Sequence, residues 1–351
     1  MDANPVKNSY AQAGVDTDLS AQVKKRIEQL ARTTFGPQVL SGIGFFGGMY
    51  ELKGLHNPVL ISSVDQVGTK TKIAAALNKF DTVGIDIVSH CINDIFTSGA
   101  DPIFFLDYIG ASKLVPEKVE AIVQGLAKAC KEVDCALIGG ETGEMPGLYA
   151  TENDFDLVGF VIGVVEKDKI IMGKTITAGD TILGLPSSGL HTNGYSLVRK
   201  IFGETSKELN VFYPELKRTL GEALLEPHLC YYNQLKPLLP FVKGLAHITG
   251  SGLIGNVPRV LPAGLAADLH SNTWTIPGIF HLIQKQGNVE RDEMYHVFNM
   301  GIGMVIICSP GNVKQLTQSL PEATVIGKII SQTDDNRVII DGTGYHKDKV
   351  L

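Results

Sequence analysis

Residues 59–72, VLISSVDQVGTKTK, begin as a strand and end as a helix. Val59, Leu60, Ile61 and Val64 are apolar after Pro58, and Lys72-Ile-Ala-Ala-Ala-Leu is built from good helix formers. A strand feeding directly into a helix points to an α/β architecture. Asp65, Gly68, Thr69 and Lys70 lie at the join. A turn of this kind presents backbone N–H groups to an anion. From these residues two readings stand. One is an ordinary capped βα turn; the other is a site where Asp65 holds a divalent cation and Lys70 a phosphate oxygen. The Walker-type spacing of phosphate loops is absent.

Upstream, Ser41–Tyr50 reads SGIGFFGGMY, with Gly42, Gly44, Gly47 and Gly48 among Ile43, Phe45 and Phe46. It is either a glycine-rich hairpin with its aromatics turned inward or a flap over a phosphate chain. Downstream, 81–99 has helical periodicity through Val83, Ile87, Cys91 and Ile95, against a polar set of Asp86, Ser89, His90, Asn93, Asp94 and Thr97. That set is either a solvated face or, through Asn93 and Asp94 near the helix end, the completion of a cation site with Asp65. The run Pro102–Ile109, PIFFLDYI, reads as a buried strand in which Asp107 demands a partner or a cleft. A helix over 115–133 leads to a strand at 135–138, then to GGETGEMPGLY, a second carboxylate-bearing loop after a strand.

At 351 residues two domains are expected, with the boundary in the charged, glycine-containing stretch Glu166–Gly179, giving 1–170 and 171–351. The second half holds PSSGLHTNGYS at 186–196, a hydroxyl-rich turn carrying His191 and Asn193 into a helix. It also holds LAHITGSG at 245–252, another glycine-hydroxyl turn. Further strands are expected at 180–185, 265–269, 303–308, 325–329 and 338–340, with helices at 277–286, 292–298 and 312–320. A net charge of −6 with no basic stripe argues against a nucleic-acid partner. The five cysteines form no C-x-x-C pair and favour a reducing compartment. With no apolar leader pattern in Met1–Tyr10 and no spanning apolar run, no membrane is expected and the cytoplasm is. Scattered carboxylates suit Mg²⁺ bridging phosphates better than Zn²⁺. The residues alone therefore lead to a Mg-nucleotide enzyme with a second anionic ligand between two domains.

The ordered strings VDQVGTK, INDIFTSGADPIFFLDYI, IGGETGEMPGLY, LPSSGLHTNGYSL, AHITGSGL and FNMGIGM resemble the phosphoribosylformylglycinamidine cyclo-ligase (AIR synthetase) family, from about Tyr10 to about Gly342. The resemblance implies ATP-dependent closure of formylglycinamidine ribonucleotide to aminoimidazole ribonucleotide, the fifth step of purine synthesis, with ADP and phosphate released. It implies an α/β (α+β) chain whose ferredoxin-like N-terminal domain forms a β-barrel across a homodimer, followed by a C-terminal α/β domain.

By the same resemblance Asp65, Asp94 and Glu141 hold Mg²⁺, and Lys70, Gly42, Gly44, Gly47 and Gly48 contact or cover the ATP phosphates. Asn93, Asp107 and Tyr108 belong to the ATP site, Asp107 at the adenine edge. His191, with Lys70 and Asp65, acts in catalysis. Ser188, Gly189, Thr192, Asn193, Thr249, Gly250, Ser251 and Gly252 bind substrate. Gln66 and Ser251 stand where the family usually has glycine, and the flap departs from a commoner GGFGG pattern. The relatives sharing this domain pair fit less well. A selenophosphate synthetase needs a reactive residue in its flap, where this chain has no cysteine before Cys91. A hydrogenase-maturation dehydratase ends in cysteine, where this chain ends Lys349-Val350-Leu351. A thiamine-phosphate kinase lacks the GGETGEMPGLY and SSGLHTNGYS strings together. A non-catalytic nucleotide-binding dimer would have lost a carboxylate.

Overall fold

A computed structural model describes residues 17–345; the leader and chain-end readings lie outside the described residues. Two large sheets dominate the described residues. The first has four strands: β1 (Pro58–Gln66), β2 (Asp101–Ala111), β3 (Ala136–Glu144) and β4 (Phe155–Glu166), in the order β1-β4-β2-β3. β2 and β3 run parallel and the other pairs antiparallel. Helices α1 (Thr17–Arg32), α2 (Lys70–Leu77), α3 (Val83–Phe96) and α4 (Pro116–Glu132) complete this unit. The connections run strand, two helices, strand, helix, strand, strand. That departs from the β-α-β-β-α-β order of a ferredoxin-like unit.

The sequence predicts a loop at 139–149, yet β3 continues through Gly139, Gly140, Glu141 and Thr142. Low intrinsic strand preference is overridden there because Asp107, Tyr108 and Ile109 supply ladder partners in register.

The second sheet has seven strands in the order β13-β12-β9-β11-β5-β10-β8. These are β5 (Thr181–Pro186), β8 (Gly244–His247), β9 (Leu265–Leu269), β10 (Ile302–Cys308), β11 (Thr324–Ser331), β12 (Val338–Ile340) and β13 (Thr343–Tyr345). The short β6 (Phe212–Tyr213) and β7 (Arg218–Thr219) pair apart from it. β10 is buried along its whole length, as expected for seven residues reading IGMVIIC between two neighbours.

α3 joins the two units. One side, with Ile87, Cys91 and Ile95, packs on the first sheet; each such side chain stabilises by roughly 1.5–3 kcal/mol. The polar stripe of α3 is covered too. Asp86, His90 and Asn93 are buried where residues 226–233 of the second unit lie over them.

Candidate active site between the two units

Asp65 is the penultimate residue of β1, and the alternation of a strand puts Ser63 and Asp65 on the same face, toward α3. Ser63 Oγ donates to Asp94 Oδ2 at 3.1 Å. Asp65 Oδ2 lies 3.0 Å from His90 Nε2, and Asp94 Oδ1 accepts from His247 Nδ1 at 2.8 Å. His90 Nδ1 meets Thr192 Oγ1 at 2.7 Å, and His247 Nε2 meets His228 Nε2 at 3.0 Å. His191 stacks on His228 with ring centroids 3.9 Å apart. Two carboxylates of the first unit thus face three histidines of the second, with His90 between them.

Asp65 and Asp94 remain 35% and 31% exposed, whereas the four imidazoles are buried. Burial alone would raise the Asp94 carboxyl; the His247 hydrogen bond and the neighbouring imidazoles outweigh it and hold it below the usual range. His191 is pushed well below the ordinary histidine range by burial, with His247, Lys70 and His90 adding positive potential. It is a neutral imidazole. Ser188 N donates to its Nε2 at 3.3 Å, which leaves the proton on Nδ1, an atom without a partner among the described residues. The backbone of His191 sits at φ 61°, an uncommon conformation for a non-glycine residue. A Cβ at Gly303 would collide with Tyr231 and come within 2.7 Å of His191 Cε1, so that glycine makes the room for both rings.

Two expected roles are corrected. Lys70 does not reach into a phosphate cleft: its ammonium is wholly buried, 2.8 Å from Asp86 Oδ2, and donates to the carbonyls of His191 and Glu226. A buried ammonium needs such partners. Asn93 is not open to a nucleotide either. Its amide donates to Leu229 O at 2.8 Å and its carbonyl accepts from Tyr231 N at 2.9 Å, so both ends satisfy the 226–233 backbone.

The register separates the three carboxylates expected to share one cation. Asp65 pairs with Gly159, Gly159 with Asp107 and Asp107 with Gly140, so that row faces the helices. Glu141 pairs with Tyr108 on the next row, which faces away. β3 is three strand spacings from β1, roughly 14 Å. Within one chain, Asp65 and Asp94 lie together and Glu141 does not join them. Asp107 is buried, and burial followed by the charge of Glu141 pushes its carboxyl up to about 7. Tyr108, on the opposite face, reaches Met145.

The glycine run 42–48 does not turn its aromatics inward. Phe45 and Phe46 are exposed, while Tyr50 packs near Phe104 on the outer sheet face. In the second unit Ser188 Oγ donates to Pro227 O at 2.6 Å, and the Gly189 carbonyl accepts from Ser187 and Asn299. Asn256 Nδ2 clamps the carbonyls of Gly250 and Gly252, with Ser251 at φ 73°. A Cβ on Gly250 would lie 3.1 Å from Asn193 Oδ1, so the 187–194 and 249–252 turns adjoin. Asp86, His90, His228 and His247 received no role from the sequence. The first two had a local signal, since Asp86, His90 and Asp94 recur four apart on one helix face. His228 had none.

Fold and site together define a two-unit protein of the AIR-synthase-related class. Residues 51–165 match the family described as AIR synthase related protein, N-terminal domain, and residues 177–340 match its C-terminal domain. The chain is 49% identical over 331 residues to the phosphoribosylformylglycinamidine cyclo-ligase of Geobacillus thermodenitrificans (strain NG80-2), covering 92% of this chain and 95% of that one. It is 49% identical over 328 residues to that of Thermoanaerobacter sp. (strain X514), covering 92% and 97%. The chain belongs to the phosphoribosylformylglycinamidine cyclo-ligase family. Among solved structures, thiamine-monophosphate kinase from Stenotrophomonas maltophilia K279a superposes with a TM-score of 0.66 at 18% identity, covering 94% and 98%. HypE of E. coli does so with 0.63 at 15%, covering 91% and 93%. At those identities the likeness is one of fold.

Proposed function

We propose that this chain is an ATP-dependent ligase that closes the imidazole ring of formylglycinamidine ribonucleotide, yielding aminoimidazole ribonucleotide, ADP and phosphate. The observation that carries this reading is the meeting of Asp65 and Asp94 from one unit with neutral His191 and His247 from the other. Activating an amide by phosphorylation needs charge neutralised on a phosphate chain and a donor at the amide oxygen. The formyl oxygen attacks the γ-phosphorus, ADP leaves, the ribosyl-bearing amidine nitrogen adds to the formyl carbon, and the oxygen departs as phosphate.

Asp65 and Asp94 fit Mg²⁺: both are partly exposed carboxylates on one sheet face, and Mg²⁺ takes one or two carboxylates plus phosphates and waters. When bound, that ion supplies charge neutralisation on the phosphates. His191 donates its Nδ1 proton in a hydrogen bond as a neutral imidazole. Thr192, Asn193 and Thr249–Gly252 line the adjoining turns where the ribose phosphate would sit, and the 42–48 run would cover ATP. Asp107 stays the candidate adenine contact.

A homodimer is part of this reading. Leu60 and Val64 are exposed on the outer face of the first sheet, beside Val158, Phe160, Phe104 and Leu106. A second copy of that face would close the barrel and cover them. Glu141 lies on that face, so in the dimer its carboxylate belongs to the interface side of the site. The test of the activity is product formation: purified protein, ATP and Mg²⁺ should convert formylglycinamidine ribonucleotide to aminoimidazole ribonucleotide. Absence of the product with a folded protein would refute the assignment.

A further inference from the structure

The histidines of the second unit do more than flank the carboxylates. One candidate ligand nitrogen from each of His191, His228 and His247 lies within 4.8 Å of the others, and all three side chains are buried. We propose that these three histidines form a binding site for a divalent d-block cation of the zinc class, separate from the carboxylate site for Mg²⁺.

Geometry supports the ligand set. The Nε2 atoms of His228 and His247 stand 3.0 Å apart. Tetrahedral zinc, with Zn–N of about 2.0–2.1 Å, needs its nitrogens roughly 3.3–3.4 Å apart, so these two rings open by a few tenths of an ångström. His247 is already oriented for ligation, because its Nδ1 donates to Asp94 Oδ1 at 2.8 Å and thereby frees the Nε2 lone pair. This carboxylate–histidine arrangement is the usual outer support of a metal-bound imidazole. Asn93 Nδ2 lies 3.4 Å from His228 Nε2 and can only donate, so His228 too carries its proton on Nδ1 and turns a lone pair toward His247 Nε2. Both Nε2 atoms are then free to ligate without a proton moving. The third ring, His191, would ligate through Nε2, whose one hydrogen bond is the long 3.3 Å contact from Ser188 N, and would keep its proton on Nδ1.

One neighbouring charge favours a cation: Asp94 touches His247, while the charge of Asp86 is taken up by Lys70. The histidines themselves add no charge when they ligate as neutral imidazoles. His90, bound to Asp65 and Thr192, is already engaged and stays outside the set. Nitrogen ligands discriminate against Mg²⁺.

The test uses the full chain, stripped with chelator and titrated with Co²⁺ alone. The proposal expects one equivalent with the intense visible bands of tetrahedral cobalt, displaced by Zn²⁺ and untouched by excess Mg²⁺. His228→Asn and His247→Asn should each lower cobalt affinity by at least about 10-fold. An octahedral-type spectrum, or tetrahedral bands that survive both substitutions in folded protein, would overturn it. Anomalous diffraction from wild-type crystals soaked in Co²⁺ decides the matter without any variant. A peak among the three imidazoles supports the site; a peak only at Asp65, or none, refutes it.

Discussion

Lys70 Nζ and Asp86 Oδ2 lie 2.8 Å apart with both side chains wholly buried where the two units meet. The pair is structural in consequence. Lys70→Met would leave Asp86 charged, buried and unpaired, a loss of about 3–5 kcal/mol. Thermal unfolding should show a clearly lowered Tm, and Lys70→Met combined with Asp86→Leu should recover part of it. A single variant with unchanged Tm and a raised KM for ATP would return Lys70 to the phosphate site.

Asp107 makes stability depend on pH. Its folded carboxyl is pushed up to about 7 from an ordinary 3.8, chiefly by burial. The folded state therefore holds the proton where the unfolded state has lost it, and stability falls as pH rises through that window. Above it the cost approaches about 4 kcal/mol at most. Asp107→Asn should raise Tm at pH 8 and leave it nearly unchanged at pH 4. Equal shifts at both pH values would contradict the burial cause.

His191 carries the sharpest catalytic expectation. Its unpartnered Nδ1 proton and strained backbone mark a group held for use rather than for packing. His191→Asn should lower kcat by about 100-fold or more, about 2 kcal/mol or more in barrier, while ATP affinity changes little. Normal kcat with weakened substrate binding would make it a ground-state contact.

The placement of Glu141 on the far sheet face predicts sharing between protomers. Asp94→Asn and Glu141→Gln should each abolish turnover without unfolding. If the partner's face completes the site, mixing the two inactive variants should restore part of the activity through mixed dimers. Sedimentation at micromolar concentration should show a dimer. A folded, active monomer, or no recovery on mixing despite subunit exchange, would contradict the shared site.

Much of the architecture was legible because it is local. The pattern of 58–77 gives β1 and α2, the four-residue recurrence at 83–95 gives α3, and the strands at 265–269 and 338–340 appear as their apolar runs predict. What could not be read is non-local. Lys70 looks like a phosphate ligand until Asp86 and the carbonyls of His191 and Glu226 take its three donors. Asn93 looks like an ATP-site residue until residues 229 and 231 use both its ends. His228 joins its neighbours only through tertiary packing, which no spacing announces. Glu141 stands out in the sequence as a carboxylate after a strand, but the face it occupies follows from the β2–β3 register.

Oxygen transfer tests the central claim most directly. Formylglycinamidine ribonucleotide labelled with ¹⁸O at the formyl oxygen should, with ATP and Mg²⁺, give aminoimidazole ribonucleotide and inorganic phosphate in equal amounts. The phosphate should carry the label, and none should form when the substrate is omitted. Phosphate that is unlabelled, or released at the same rate without the substrate, would contradict activation of the amide by phosphorylation and the assigned reaction with it.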